Sequence, residues 1–155
     1  MKPVMRDIVI TRLLPYPRPM VWAALTDSAQ LSSWLMPNDI RPVIGHRFTF
    51  RTKPAPGFDG IVQSEVLDLV PDERLVISWR GGPLDTTVSF ALEDHPGGTT
   101  LTLRHAGFAG LSNALPRIVL GFGWKGLLGR KLPAHIAARP LRGAGGGSDA
   151  PAAVC

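Results

Sequence analysis

The sequence predicts an α+β fold: an antiparallel sheet, apolar on one face and polar on the other, closed by one long C-terminal helix. Three observations predict it. Four segments between Arg47 and His105 alternate apolar and polar residues with period two and share one parity. The connections between them are short and rich in Gly, Pro and Asp, so neighbouring strands run antiparallel. Downstream, Trp124, Leu128, Leu132 and Ile136 recur every four residues, a helical stripe able to cover the apolar face.

Asp7 to Leu14 reads as a first strand, with Ile8, Ile10 and Leu14 on one face and Val9 and Leu13 on the other. It ends at Pro15. Pro17 and Pro19 fall where prolines suit the first turn of a helix, ahead of Met20 to Leu25. Asp27 followed by Gln30 has capping-box spacing and opens a second short helix bearing Leu31, Trp34 and Leu35, closed by Pro37. Arg47 to Arg51 is the next strand. Ile61 to Val70 is a long strand whose alternation is imperfect, which points to a bend or bulge. Leu75 to Trp79, Thr87 to Leu92 and Thr99 to His105 complete the sheet.

Read by parity, one face holds Phe48, Phe50, Leu75, Ile77, Trp79, Val88, Phe90, Leu92, Leu101, Leu103 and His105. The other holds Arg, Thr and Ser almost throughout, so one face is buried and one is wet. The covering helix falls between Asn113 and Arg139. It is loaded with Gly121, Gly123, Gly126 and Gly129, each costing up to about 1 kcal/mol relative to Ala, and Pro133 is expected to kink it or end its regular part. Packing, not propensity, must hold it. From Gly143 to Cys155 there is little to bury, so residues 1–142 read as one domain and 143–155 as a disordered tail.

The chain's 155 residues suit one domain, and 45% hydrophobic residues exclude an intrinsically disordered chain. The longest apolar run, Ile118 to Trp124, is seven residues, far short of the roughly 20 that span a bilayer. Arg6 and Asp7 follow close behind Lys2, with no apolar signal stretch. The single cysteine, Cys155, allows no disulfide framework. A soluble, cytoplasmic protein is the expectation. The net charge of +5 is uneven: residues 1–94 hold 10 basic and 11 acidic side chains, residues 95–148 seven basic and no acidic ones.

The stretches Ile8-x-Ile10-x-Arg12, Pro17, Val21-Trp22, Leu25-Thr26-Asp27, Leu31, Trp34 and Pro37 resemble the opening of the SRPBCC, or START-like, superfamily. More narrowly they resemble bacterial proteins similar to the C-terminal domain of activators of the heat-shock protein 90 ATPase. Val66-Leu67-Asp68, Pro71, Glu73-Arg74-Leu75 and Ser78-Trp79 are similar to that family's second block, and Gly97 to Phe108 to its third. Gly123-Trp124 with Leu127, Leu128 and Leu132 is similar to the start of its final helix. The resemblance implies a helix-grip fold: a curved antiparallel sheet wrapped around a long C-terminal helix, two short helices after the first strand, and a cavity that takes apolar molecules. Two features depart from the family: Ala106 stands where an acidic residue is frequent, and the final helix is glycine-loaded.

The aromatic set Trp34, Phe50, Trp79, Phe90, Phe108 and Trp124, with Leu128, could line such a pocket or simply fill the core. His105, on the apolar face, and Lys125 are candidate anchors for a ligand's polar end. The bland alternative for His105 is a histidine that only satisfies a neighbouring backbone group. His46, His95, His105 and His135 lack metal-ligand spacing, so no metal or other cofactor is expected. Glu65 and Asp68 fall on opposite faces of an ideal strand and cannot flank one bond. Gly121-x-Gly123-x-x-Gly126 matches a dinucleotide fingerprint as a string, but no strand precedes it and no acid follows for the ribose.

The leading expectation is therefore a binder of an apolar or amphipathic small molecule, using Trp34, Phe50, Trp79, Phe90, His105, Phe108, Trp124, Lys125 and Leu128, with no assigned catalytic residue. The alternatives are a chaperone co-factor acting by protein interaction, and a cyclase- or hydrolase-like enzyme on the same scaffold. The basic C-terminal segment suits a chaperone or another anionic partner. Nucleic acid is not expected, because no recognised binding module accompanies the charge.

Overall fold

Alternation of β-branched and aromatic residues with polar ones builds six strands, and the computed structural model, which describes residues 5–138, arranges them in one antiparallel sheet. The strands are β1 (Ile8–Leu14), β2 (Arg47–Arg51), β3 (Ile61–Val70), β4 (Arg74–Gly81), β5 (Leu84–His95) and β6 (Gly98–Ala106). Their order is β1-β6-β5-β4-β3-β2, so β1 and β2 form the edges. Helices α1 (Arg18–Thr26) and α2 (Ser28–Trp34) follow β1. The C-terminal helix opens with a 3₁₀ turn, Leu111–Asn113, and continues as α3 (Ala114–Gly126), a π-helical stretch (Leu127–Lys131) and α4 (Leu132–Ala137). The tail 143–155 lies outside the described residues.

Every residue assigned by parity to the apolar face is buried, from Phe48 on β2 to His105 on β6. None of the polar-face residues is. Tight turns hold this register. β4 and β5 join through Gly82-Pro83, with Gly81 opposite Leu84 and Gly82 at φ 54°, the left-handed conformation a two-residue hairpin requires at its first position. The strand expected to begin at Thr87 therefore starts three residues earlier. That extension brings Thr86 onto the buried face.

The long strand β3 does bulge, between Val66 and Asp68. One consequence corrects the ideal-strand reading. Beyond the bulge Asp68 opposes Val76, a residue of the polar face, so Glu65 and Asp68 share that face after all. Each is engaged there separately, Glu65 with Arg47 at 3.5 Å and Asp68 with Arg74 at 2.7 Å. The hydrogen bond from Arg74 holds the Asp68 carboxyl below its ordinary value.

The capping box forms by half. Asp27 accepts from the Gln30 backbone N–H at 3.0 Å, but the Gln30 side chain meets His135 of α4 at 3.2 Å instead of returning to the cap. A local device thus becomes a tie between α2 and the C-terminal helix.

The regular α-helix does end ahead of Pro133, giving way to the π-helical stretch, but the stripe continues through it. On an α-helix a period of four drifts about 40° per step. The intervening π-helical stretch, at about 4.4 residues per turn, drifts the opposite way. Trp124, Leu128, Leu132 and Ile136 consequently all stay buried. The looser turn also falls just ahead of Pro133, where an α-helical hydrogen bond would lack its donor.

Candidate functional site

The buried face of the sheet presents a continuous row of rings. Phe48 and Phe50 lie 5.3 Å apart between centroids, Phe50 and Trp79 5.3 Å, and Trp79 and Trp124 of the covering helix 5.6 Å. Trp124 reaches Phe90 at 6.1 Å, while Trp79 also meets His105 at 5.5 Å and His105 meets Phe108 at 4.7 Å. Edge-on and tilted packing at these distances is the favoured aromatic geometry. Strands β2, β4, β5 and β6 each supply members because their inward positions fall in register across the sheet.

His105 is the polar centre of this row and is fully buried. Trp124 Nε1–H donates to its Nδ1 at 3.1 Å, and its Nε2 lies 2.7 Å from Thr86 Oγ1. The Thr86 hydroxyl donates in turn to the Trp79 carbonyl at 3.0 Å. Because indole N–H can only donate, His105 Nδ1 must present its lone pair, and the proton sits on Nε2, donated to Thr86. All three polar side chains are satisfied by this arrangement. It fits only the neutral imidazole: a proton on Nδ1 would face the Trp124 N–H donor. Burial independently pushes the His105 pKa down from 6.5 to about 4.

Phe50, Trp79, Phe90, His105, Phe108 and Trp124 thus come together, and Leu128, one turn beyond Trp124, is buried too. Trp34 is buried separately from the ring row, its Nε1 donating to Ala24 O of α1 at 2.8 Å. Lys125 is exposed, beside Trp124 in sequence but outside the core. Three polar residues of the buried face escaped the sequence reading: Thr86, Ser64 and Thr99, the last donating to the Tyr16 carbonyl at 2.7 Å. Thr86 was reachable by extending the β5 alternation two positions back. Ser64 lies inward on β3 opposite Phe48, and its buried Oγ has no hydrogen-bond partner. The alternation Val62, Ser64, Val66 was its signal.

The N-terminal end of the covering helix is fixed by Asn113, whose side chain accepts from Ala109 N–H at 2.9 Å and donates to Pro83 O at 3.0 Å. Arg117 adds a bond from Nε to Arg6 O at 2.7 Å and lies over the Phe108 ring. Surface depressions of about 490 and 500 Å³ lie elsewhere. One is bordered by Pro15, Arg18, Asp94 and Gly98, the other by Gly57, Gln63, Arg80 and Leu84. Neither touches the ring row. Among the described residues no three His, Cys, Asp or Glu side chains gather as metal ligands, and no helix is long and apolar enough to cross a membrane.

A one-sided antiparallel sheet closed over a C-terminal helix, with two short helices between the first two strands, defines the helix-grip, SRPBCC-type class. Within it, the family model described as Activator of Hsp90 ATPase homolog 1-like protein matches residues 15–137, and the chain belongs to that family. The X-ray structure of protein MLL2253 from Mesorhizobium loti is similar over 88% of this chain and 100% of that one, at 29% identity and a TM-score of 0.78. The solution structure of BH1534 from Bacillus halodurans covers 88% and 99% respectively, at 24% identity and a TM-score of 0.73. DynU16, of the dynemicin biosynthetic locus, matches over 85% of this chain and 47% of its own, at 21% identity and a TM-score of 0.71. The last two bear on the fold alone. No curated protein matches.

Proposed function

We propose that this protein binds an apolar or amphipathic small molecule between the inner face of the sheet and the C-terminal helix. The observation that carries this reading is Ser64, a buried hydroxyl without a partner at the Phe48 end of the ring row. An unpaired buried polar group costs about 1–3 kcal/mol, and a ligand's polar atom would supply the missing partner. The ring row offers the apolar surface such a ligand needs, worth roughly 25 cal/mol per Å² buried.

The rings pack closely against one another, so entry requires the covering helix to move. Its glycines suit that movement, since Gly121 and Gly123 have no neighbouring atom within 4 Å of where a side chain would begin. They are not there to admit a close contact. Both His105 nitrogens are engaged by Trp124 and Thr86, which favours a positioning and binding role over proton transfer. Lys125, at the exposed edge, is available to an anionic ligand end during entry.

The test is a titration of intrinsic tryptophan fluorescence with long-chain fatty acids, isoprenoids and polycyclic aromatics. The aromatics are included because they can stack on the ring row. Trp79 and Trp124 sit within the ring row and would report occupancy. Saturable quenching that weakens in Ser64→Ala supports the reading. No response to any probe from the folded protein refutes it.

A further inference from the structure

Helix α3 is apolar on two opposite sides. Leu120 packs against the core and Trp124 is buried in it. At about 100° per residue, Leu115, Ile118, Val119 and Phe122 fall on the other side, and all are exposed, Phe122 to 73%. Leu111, in the turn just ahead, continues the patch at 89% exposure. Burial in the fold explains the first side. It does not explain five large hydrophobic side chains held in water, a patch of the kind that marks an interaction surface.

The charges around the patch identify what it fits. Lys125, Arg130 and Lys131 follow it on the same helix and are exposed. No acidic residue occurs from His95 to Ser148. We infer that the exposed face of α3 docks on an anionic lipid surface, lying in the plane of the interface with its aliphatic side chains among the acyl chains and its lysines and arginines at the phosphates. The helix is too short and interrupted to cross the bilayer.

A second copy of the chain is a poorer occupant. Two-fold pairing brings together two copies of the same basic, acid-free segment, so the interface gains no opposite charge to complement it. An acidic protein groove fits less well too. Protein interfaces draw their energy mainly from Trp, Tyr and Arg anchors, whereas this patch is Leu, Ile, Val and one Phe. Docking here does not depend on a ligand in the core, so the two readings stand or fall separately.

Co-sedimentation of the full chain with extruded vesicles tests the inference, using phosphatidylcholine alone and with about 30% phosphatidylglycerol. Binding is expected to the anionic vesicles and to weaken as salt rises. The Ile118→Glu/Phe122→Glu double variant should lower it about tenfold or more. So should Lys125→Glu/Arg130→Glu. Both positions of the first variant are solvent-facing, and an unchanged melting temperature establishes that the fold is retained. Absence of binding to anionic vesicles at low salt overturns the inference, as does binding that the Ile118→Glu/Phe122→Glu variant keeps in full. Light scattering adds a third arm: a wild-type dimer that the same variant converts to monomer would assign the face to self-association and overturn lipid docking.

Discussion

Replacing His105 by phenylalanine should remove most of the protein's stability loss in mild acid. In the unfolded chain this imidazole titrates at its ordinary 6.5, and in the fold burial lowers that to about 4. Between those values the unfolded chain holds a proton that the folded chain does not. Stability therefore falls as pH drops through this window, and the contribution is complete above pH 6.5. From about pH 7 to about pH 4.5 the linkage amounts to a loss of about 2 kcal/mol. Urea unfolding followed by tryptophan fluorescence measures it at each pH. His105→Phe leaves the Trp124 N–H unpaired, so the variant should be less stable at neutral pH by about 1–3 kcal/mol. Its pH dependence should nonetheless be flatter than wild type by about 2 kcal/mol, because His46, His95 and His135 are common to both proteins. Equal pH dependence in the two proteins would refute the claim that His105 is held neutral in the core.

Further outcomes follow from the same contacts. Thr86→Val keeps the shape but strands the His105 Nε2–H, while the Trp79 carbonyl keeps its ladder partner, and should cost about 1–3 kcal/mol in urea unfolding. Thr86→Ser should recover most of it. Gly121→Ala with Gly123→Ala should raise stability by about 1–2 kcal/mol, seen as a higher calorimetric melting temperature of about 2–4 °C per kcal/mol, since neither new methyl meets an atom. The same pair should slow ligand exchange if the helix lifts to admit it. Gly98→Ala should cost more than about 2 kcal/mol by the same calorimetry, because its Cβ would fall on the Leu14 carbonyl where β1 closes against the β5–β6 turn.

A chain with a basic, glycine-rich C-terminal segment still folds around a single aromatic row. The row lies in the sheet, where strand register places Phe50, Trp79, Phe90 and His105. The covering helix needs only to bring Trp124 and Leu128 to it. The glycine-loaded stretch from Gly121 to Gly129 can therefore be weakly helical by propensity without loosening the sheet.

Much of this was legible in the sequence because it is periodic. Every residue that strand alternation assigned to the apolar face, from Phe48 to His105, is buried, and the spacing of four picked out the helix stripe. Both patterns are local consequences of backbone geometry. What the sequence left open turns on pairs of residues far apart in the chain. The bulge after Val66 reversed the face of Asp68, because strand register is settled by the partner strand. Gln30 left its cap for His135, more than a hundred residues away. The roles of Thr86 and Ser64 followed only once the neighbouring strands and helix were placed. The sequence alone determined most of the apolar side chains that go inside, since burial follows pattern. Tertiary structure decided which polar groups meet there, because a hydrogen bond depends on ångström-scale separations that periodicity does not encode.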